Sequence, residues 1–157
     1  MLKYCAIFFL YAGLIGNALA ADVADLRLSK MADLGAALFF DVNLSQERTQ
    51  SCATCHDPAR AFTDWRDSGV SAAASLGGDL ISLGDRNAPT ISYAALTPEF
   101  HTNAEGEYVG GMFLDGREAN LVSQAGGPPL NPIEMAFPNK QAVIARLLES
   151  QTYEMAF

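Results

Sequence analysis

The apolar residues of the 157-residue chain fall into one unbroken run, then into two stretches at helical spacing, and nowhere into sustained alternation. Tyr4 to Ile15 is the unbroken run. Lys3 precedes it and Ala18-Leu19-Ala20 follows, the positive, hydrophobic and small-residue parts of an export signal cut before Ala21. An uncleaved anchor would need about 20 apolar residues, and Gly13, Gly16 and Asn17 weaken the segment as a span. Residues 1–20 are therefore expected to be a signal peptide, and 21–157 a single domain with a modest core.

Met31, Leu34, Leu38 and Phe39 share one face at helical spacing and predict a helix from Ser29 to Phe40, capped by Ser29 and left through Asp41 to Ser45. Val143, Ile144, Leu147 and Leu148 predict a last helix that starts near Asn139. Between them Asn120 can cap a short helix through Gln124, which Gly126-Gly127-Pro128-Pro129 ends. Residues 66–87 are rich in Gly, Ser and Asp and read as a long loop, of the kind that borders functional sites. Arg86 to Thr90 follows as an extended stretch. The expected fold is mainly α with long loops, without internal repeats.

Composition changes the picture in two places. The formal charge of -8 becomes -9 once Lys3 leaves with the signal. Such a surface repels nucleic acid and anionic membranes and suits a basic patch on a small partner, although solubility alone accounts for it equally well. Cys5 also leaves with the signal, so that Cys52 and Cys55 are the cysteines of the exported part and no separate pair remains for a structural disulfide.

Those two cysteines belong to the run Cys52-Ala53-Thr54-Cys55-His56. Two thiols at this spacing can add to the two vinyl groups of one porphyrin while the next histidine ligates its iron, the pattern of covalent haem c attachment. A redox dithiol and half a zinc site are the alternatives. Zinc would need more N or S donors, and beyond His56 only His101 remains, in a polar stretch. A dithiol is expected at the start of a helix after an apolar strand, and none precedes Leu44 to Phe62. The run should sit on a short helical turn opened by Ser51 and stopped at Asp57-Pro58.

Leu34-Gly35, Leu38-Phe39-Phe40-Asp41, Leu44-Ser45, Ser51 to Pro58 and Ala61-Phe62-Thr63-Asp64 come in an order that resembles bacterial di-haem cytochrome c peroxidases and their MauG-type relatives. Arg86 to Thr90, Asp115-Gly116-Arg117, Gln124-Ala125, Pro128 and Asn131 to Met135 continue the resemblance, which runs from about residue 33 to the end. It implies a cytochrome c-like N-terminal haem domain in which Cys52 and Cys55 carry the haem and His56 is the proximal ligand. Gln124 and Glu134 match the residues that handle peroxide on the opposite side, and Asn87 matches one that helps hold calcium between two domains. The chemistry suits the residue types: splitting a peroxide needs a proton moved from the near oxygen to the far one, which a carboxylate can do, and an amide can orient the oxygens by donating and accepting. Taken without the family, Glu134 reads as a solvated loop carboxylate and Gln124 as part of a polar helix face. Arg86 and Arg117 are candidates for pairing with haem propionates or with acidic loops.

Two departures qualify the resemblance. Many members carry a histidine in the glycine-rich loop that ligates the resting haem, whereas Ser75-Leu76-Gly77-Gly78-Asp79-Leu80 holds none. A five-coordinate or water-bound resting iron is expected, as in MauG-type relatives; His101 lies too far along to be equivalent unless the loop carries it in. Members often have tryptophan before Asp-Gly-Arg as a bridge between haems, and here Phe113-Leu114 stands there. Slow or rerouted transfer between haems is expected. Trp65 is expected to pack rather than relay electrons.

The leading expectation is the peroxide-reacting domain of a periplasmic enzyme that reduces hydrogen peroxide, fed through a second haem by a small donor such as a cytochrome or cupredoxin. MauG-type oxidation of a protein or organic substrate is the second reading. A mono-haem electron carrier is the third, with Met112, Met135 or Met155 as sixth ligand. Residues 145–157 are amphipathic and end on Met155-Ala156-Phe157 without a polar tail, which is expected of an interrupted longer protein, possible as a homodimer at full length; a genuine terminal helix is the alternative.

Overall fold

The computed structural model describes residues 30–71 and 73–156. The expected signal peptide at 1–20 and the expected cap Ser29 lie outside the described residues. The chain divides into units 1–37 and 38–157. Helix α1 comprises the helical residues 30–40. Leu34, Leu38 and Phe39 are half-buried as its periodicity requires, but Met31 is exposed.

In the second unit Asp41 ends α1 and opens a 3-10 turn over Val42–Leu44, its Oδ1 accepting from Asn43 N at 2.8 Å. The next helices are α2 (Cys52–Cys55), α3 (Leu121–Ala125), α4 (Lys140–Leu147) and α5 (Gln151–Ala156). Asn120 caps α3, accepting from Ser123 N at 3.1 Å, and Asn139 caps α4, accepting from Ala142 N at 2.9 Å. Both caps match the expected starts. An unpaired first-turn N–H is costly, so a residue whose short side chain can reach back selects the boundary.

The buried apolar side chains among the described residues are Leu44, Met112, Met135, Phe137 and Tyr153. Two polar anchors close this small core. Arg146 of α4 donates to Asn43 O at 2.7 Å, Ser45 O at 2.8 Å and Gln46 O at 3.3 Å, with its guanidinium 5.1 Å from the Phe137 ring centre. Tyr153 of α5 donates to Asp41 Oδ2 at 2.9 Å. The stripe expected on the last helix is corrected accordingly: Val143 and Leu147 are half-buried while Ile144 and Leu148 face solvent. Arg146, with three backbone carbonyls to satisfy, sets how α4 is rotated.

The stretch around His101 is a hairpin instead of a featureless loop. Strands β1 (His101–Thr102) and β2 (Tyr108–Val109) pair antiparallel, His101 opposite Val109 and Thr102 opposite Tyr108. Asn103 closes the turn by accepting from Glu105 N and Glu107 N at 3.1 and 2.8 Å. Two-residue strands carry too little alternation to be read from periodicity.

The described residues of 66–87 contain no named helix or strand, but hydrogen bonds fix the course of 75–84. Gly77 N donates to Ser82 O and Gly84 N to Ser75 O, each at 2.8 Å, while Asp79 accepts from Ile81 N, Ser82 N and the Ser82 hydroxyl. Gly77 and Gly78 are buried against 133–134. Gly78 N donates to Glu134 O at 2.7 Å, and a Cβ on Gly77 would lie 2.9 Å from Ile133 O, closer than side chains tolerate.

Candidate haem-attachment and peroxide site

Helix α2 is a single turn whose start is held by Thr54 Oγ1 accepting from Ser51 N at 2.9 Å. His56 N closes it on Cys52 O at 2.9 Å. Three residues apart on this turn, Cys52 and Cys55 project from neighbouring positions, half-buried and not joined to each other. Burial pushes both thiols above their ordinary value; at Cys55 the Arg66 charge opposes it.

His56 leaves the turn with φ -119° and ψ 68°. Its Nδ1 lies 3.1 Å from Phe62 O. A carbonyl only accepts, so Nδ1 carries the proton and Nε2 keeps a lone pair. The carbonyl is delivered by a tight reversal in which Ala61 and Phe62 both take left-handed backbone angles, φ 54° and 60°. Phe62 N returns to Asp57 O at 2.8 Å, and Asp57 caps the intervening turn over Pro58–Arg60 through Ala59 N at 2.9 Å. Phe39 meets the Phe62 ring edge-on at 6.4 Å and backs the reversal.

Beyond the reversal lies a pair that the sequence reading missed. Arg66 donates to Asp64 from Nε at 3.0 and 3.2 Å and from Nη2 at 2.6 Å, and Nη2 also lies 3.3 Å from Cys55 Sγ and 3.4 Å from Leu76 O. Burial opposes ionisation of Asp64, yet the bonds from Arg66 hold its carboxyl below the usual value. The available signal was an acid and a base two positions apart just after the Cys-x-x-Cys-His run.

Glu134 sits in the 131–134 turn, half-buried. Asn131 Nδ2 donates to its Oε1 at 2.9 Å. Burial raises its pKa, Asn131 opposes that, Asp85 adds to it, and the charges of Arg117 and His56 pull it back. Glu134 is thus within electrostatic reach of both His56 and Cys55. Gln124, half-buried, lies in the last turn of α3, and Met135 N and Phe137 N donate to Pro128 O and Pro129 O at 3.2 and 2.9 Å. The segments carrying Gln124 and Glu134 therefore adjoin.

Arg86 and Arg117 are held in a second network, from which the Arg117 charge still reaches Glu134. Arg86 and Arg117 pair with Asp115 at 2.7 and 3.0 Å, which holds its carboxyl down to about 2. The acidic-loop reading of these arginines fits, and Arg117 also lies 3.6 Å over the Phe113 ring. Asn87 is exposed. His101 is exposed on its hairpin with Nδ1 2.8 Å from Glu99 O. Met112 and Met135 are buried and Met155 exposed. Trp65 is corrected: it is 59% exposed, with the Arg60 guanidinium 5.3 Å from its ring centre and no place in the buried core. Among the described residues no three His, Cys, Asp or Glu side chains are grouped to hold a metal ion, and no helix is long and apolar enough to cross a membrane.

The family model described as di-haem cytochrome c peroxidase matches residues 29–157. The chain belongs to that family. It is 53% identical over 152 residues, 97% of this chain, to the methylamine utilization protein MauG of Paracoccus denitrificans, of whose length it spans 38%. It is 40% identical over 114 residues, 73% of this chain, to the cytochrome c peroxidase Ccp of Escherichia coli, of whose length it spans 20%. Among solved structures, the diheme peroxidase BthA of Burkholderia thailandensis superposes with a TM-score of 0.74 at 33% identity, over 80% of this chain and 30% of BthA. The mainly α fold with long loops is thus that of the di-haem peroxidases, and haem c is the cofactor this family implies.

Proposed function

We propose that residues 21–157 are the N-terminal haem domain of a periplasmic di-haem peroxidase that reduces hydrogen peroxide with electrons from a small donor protein, passed through a second haem. What carries the reading is one linkage through the glycine-rich loop: Arg66 Nη2 joins Cys55 Sγ to Leu76 O, and, two residues on, Gly78 N donates to Glu134 O at 2.7 Å.

The residues present fit a covalent haem. Cys52 and Cys55 are unpaired thiols on one turn, and each S–H can add across a vinyl group, sulfur to one carbon and hydrogen to the other. His56 has its Nδ1 proton committed to Phe62 O, so Nε2 is the ligand atom, oriented before any metal arrives. Among the described residues the buried apolar side chains are Leu44, Met112, Met135, Phe137 and Tyr153, to which a porphyrin would add apolar area. When bound, haem c supplies the redox-active iron at which peroxide is reduced.

The remaining steps belong to the chain. Glu134, its pKa raised by burial, takes a proton at its carboxylate and returns it to the departing oxygen. Asn131 holds Oε1, which leaves Oε2 for that transfer. Gln124 orients the oxygens through its amide. The acidic surface suits a donor with a basic face, a cytochrome or a cupredoxin. Asn87 is assigned to an interdomain calcium site and the full-length protein to a homodimer, both on the family resemblance alone.

A second reading, MauG-type oxidation of a protein or organic substrate, is favoured by the 53% identity to a MauG and by the absence of histidine from residues 66–87. The experiment is rapid mixing of the haem-loaded protein with stoichiometric peroxide. Fast spectral conversion, slowed at least 100-fold in Glu134→Gln, is expected. A stable six-coordinate His-Met spectrum without response to peroxide would instead identify an electron carrier, with the buried Met112 or Met135 as ligand. Turnover with reduced donor against turnover with an organic substrate then separates the peroxidase from the oxidase.

A further inference from the structure

We infer that Asp64 and Arg66 form a fixed electrostatic element of the haem site: Asp64 locks the Arg66 guanidinium against the Cys55 sulfur, and that cation sets the redox balance of the group attached there. The inference rests on the haem reading above and adds a residue pair to it.

The geometry is that of a built contact. Three N–H···O distances of 3.2 Å or less join Arg66 to Asp64, so that Nε and Nη2 grip the carboxylate together. The same Nη2 reaches Cys55 Sγ at 3.3 Å and Leu76 O at 3.4 Å. Asp64 also accepts from Arg66 N at 2.9 Å, fixing the backbone at the base of the side chain. The carboxylate side chain is 3% exposed and the guanidinium side chain 21%, so water screens this pair poorly. A planar fork held on three sides cannot swing away when the thiol becomes a thioether, which still offers sulfur as a weak acceptor.

The Cys55 sulfur meets the Arg66 cation directly, Nη2 at 3.3 Å, and the Asp64 carboxylate is held by that same guanidinium through Nε and Nη2. The pair is therefore not neutral when seen from the attachment site. A nearby cation favours the reduced, less positive state of a redox centre, and a nearby carboxylate favours the oxidised state. A unit charge about 10 Å away, across an effective dielectric of about 20, is worth roughly a factor of ten in such a balance. Arg66 is thus a positioning and electrostatic residue, distinct from the proton-handling Glu134.

The test is a redox titration of the exported chain matured with haem c, with mass measurement of attached haem. Arg66→Gln should lower the reduced-to-oxidised ratio at fixed potential roughly tenfold, about 59 mV for a one-electron couple. Asp64→Asn should shift it the opposite way, and Arg66→Lys, which keeps the charge, should stay near wild type. A purely structural strut predicts otherwise: Arg66→Lys falling with Arg66→Gln, or Asp64→Asn shifting in the same direction, overturns the inference. If Asp64→Asn does not fold, the two arginine variants still decide it. A wild-type chain that acquires no covalent haem under maturation would sink the haem reading itself, whereas normal attachment with unmoved potentials sinks only this proposal.

Discussion

Among the described residues the spacing Asp-x-Arg occurs at Asp64 to Arg66 and again at Asp115 to Arg117, and these two copies behave as opposites. In the first, both side chains are largely enclosed, and the guanidinium is aimed at Cys55. In the second, Asp115 is shared between Arg86 and Arg117, and the three side chains are 38% to 47% exposed. Identical local chemistry therefore yields a charge held in low dielectric in one place and a screened surface network in the other. Enclosure by the 75–78 loop, not the motif, makes the difference.

Cutting each carboxylate separates the two most sharply. Asp64→Ala leaves an uncompensated guanidinium in a mostly enclosed site and should cost roughly 3–5 kcal/mol of stability in urea unfolding. Asp115→Ala should leave the unfolding midpoint within error, since exposed pairs contribute little. Equal losses from both variants would show that the second network is as enclosed in solution as the first.

That contrast also marks how far the sequence could be read. The chemistry-bearing run was legible because its spacing is dictated by the porphyrin, and the caps Asn120 and Asn139 were legible because an N-cap acts over three residues. Gln124 and Glu134 were named from family order, and the structure brings their segments together through Pro128 and Pro129. Arg66 was passed over: nothing local distinguishes it from Arg117, since its role depends on Leu76, ten residues away, and on the fold of a glycine-rich loop. The rotation of α4 cannot be read locally for the same reason, because Arg146 bonds carbonyls about a hundred residues upstream. Local periodicity carries no information about such partners.

Glu134 adds a titrating test to the enclosed region. Its folded pKa is raised, so the folded state binds more protons than the unfolded state between the ordinary carboxyl value and the folded one, and stability falls as pH rises through that window. Glu134→Gln should therefore be more stable than wild type above the window while reacting more slowly with peroxide. An unfolding free energy that Glu134→Gln leaves with the same pH dependence would mean that Glu134 is ionised at no cost, the behaviour of a solvated loop carboxylate, and the opposite sign would mean that the fold stabilises its ionised form.

Salt supplies a gentler comparison. The bonds from Arg86 and Arg117 hold the Asp115 carboxyl down to about 2, so the little stability this exposed network gives is present above the ordinary carboxyl value and is lost as pH falls from about 4 toward 2. Raising ionic strength to about 1 M shortens the screening length to about 3 Å. The Asp115 carboxyl, followed by its NMR shift, should move back toward the value of a free aspartate, while that of Asp64 stays where it is. If both move together, Arg66 is as open to solvent as Arg117.

The smallest effect expected ties the exposed network to the reactive one. Arg117 lowers the pKa of Glu134, but from a half-exposed position where screening weakens it. Arg117→Gln should therefore move the pH midpoint of the peroxide reaction slightly upward, because deprotonated Glu134 is the form that accepts the first proton. The shift should shrink further in high salt. Arg66→Gln should leave that midpoint in place, since Arg66 is not among the charges acting most strongly on Glu134. A midpoint that follows Arg66 instead of Arg117 would reverse the division of labour between the two arginines, making the enclosed cation the one that tunes proton transfer.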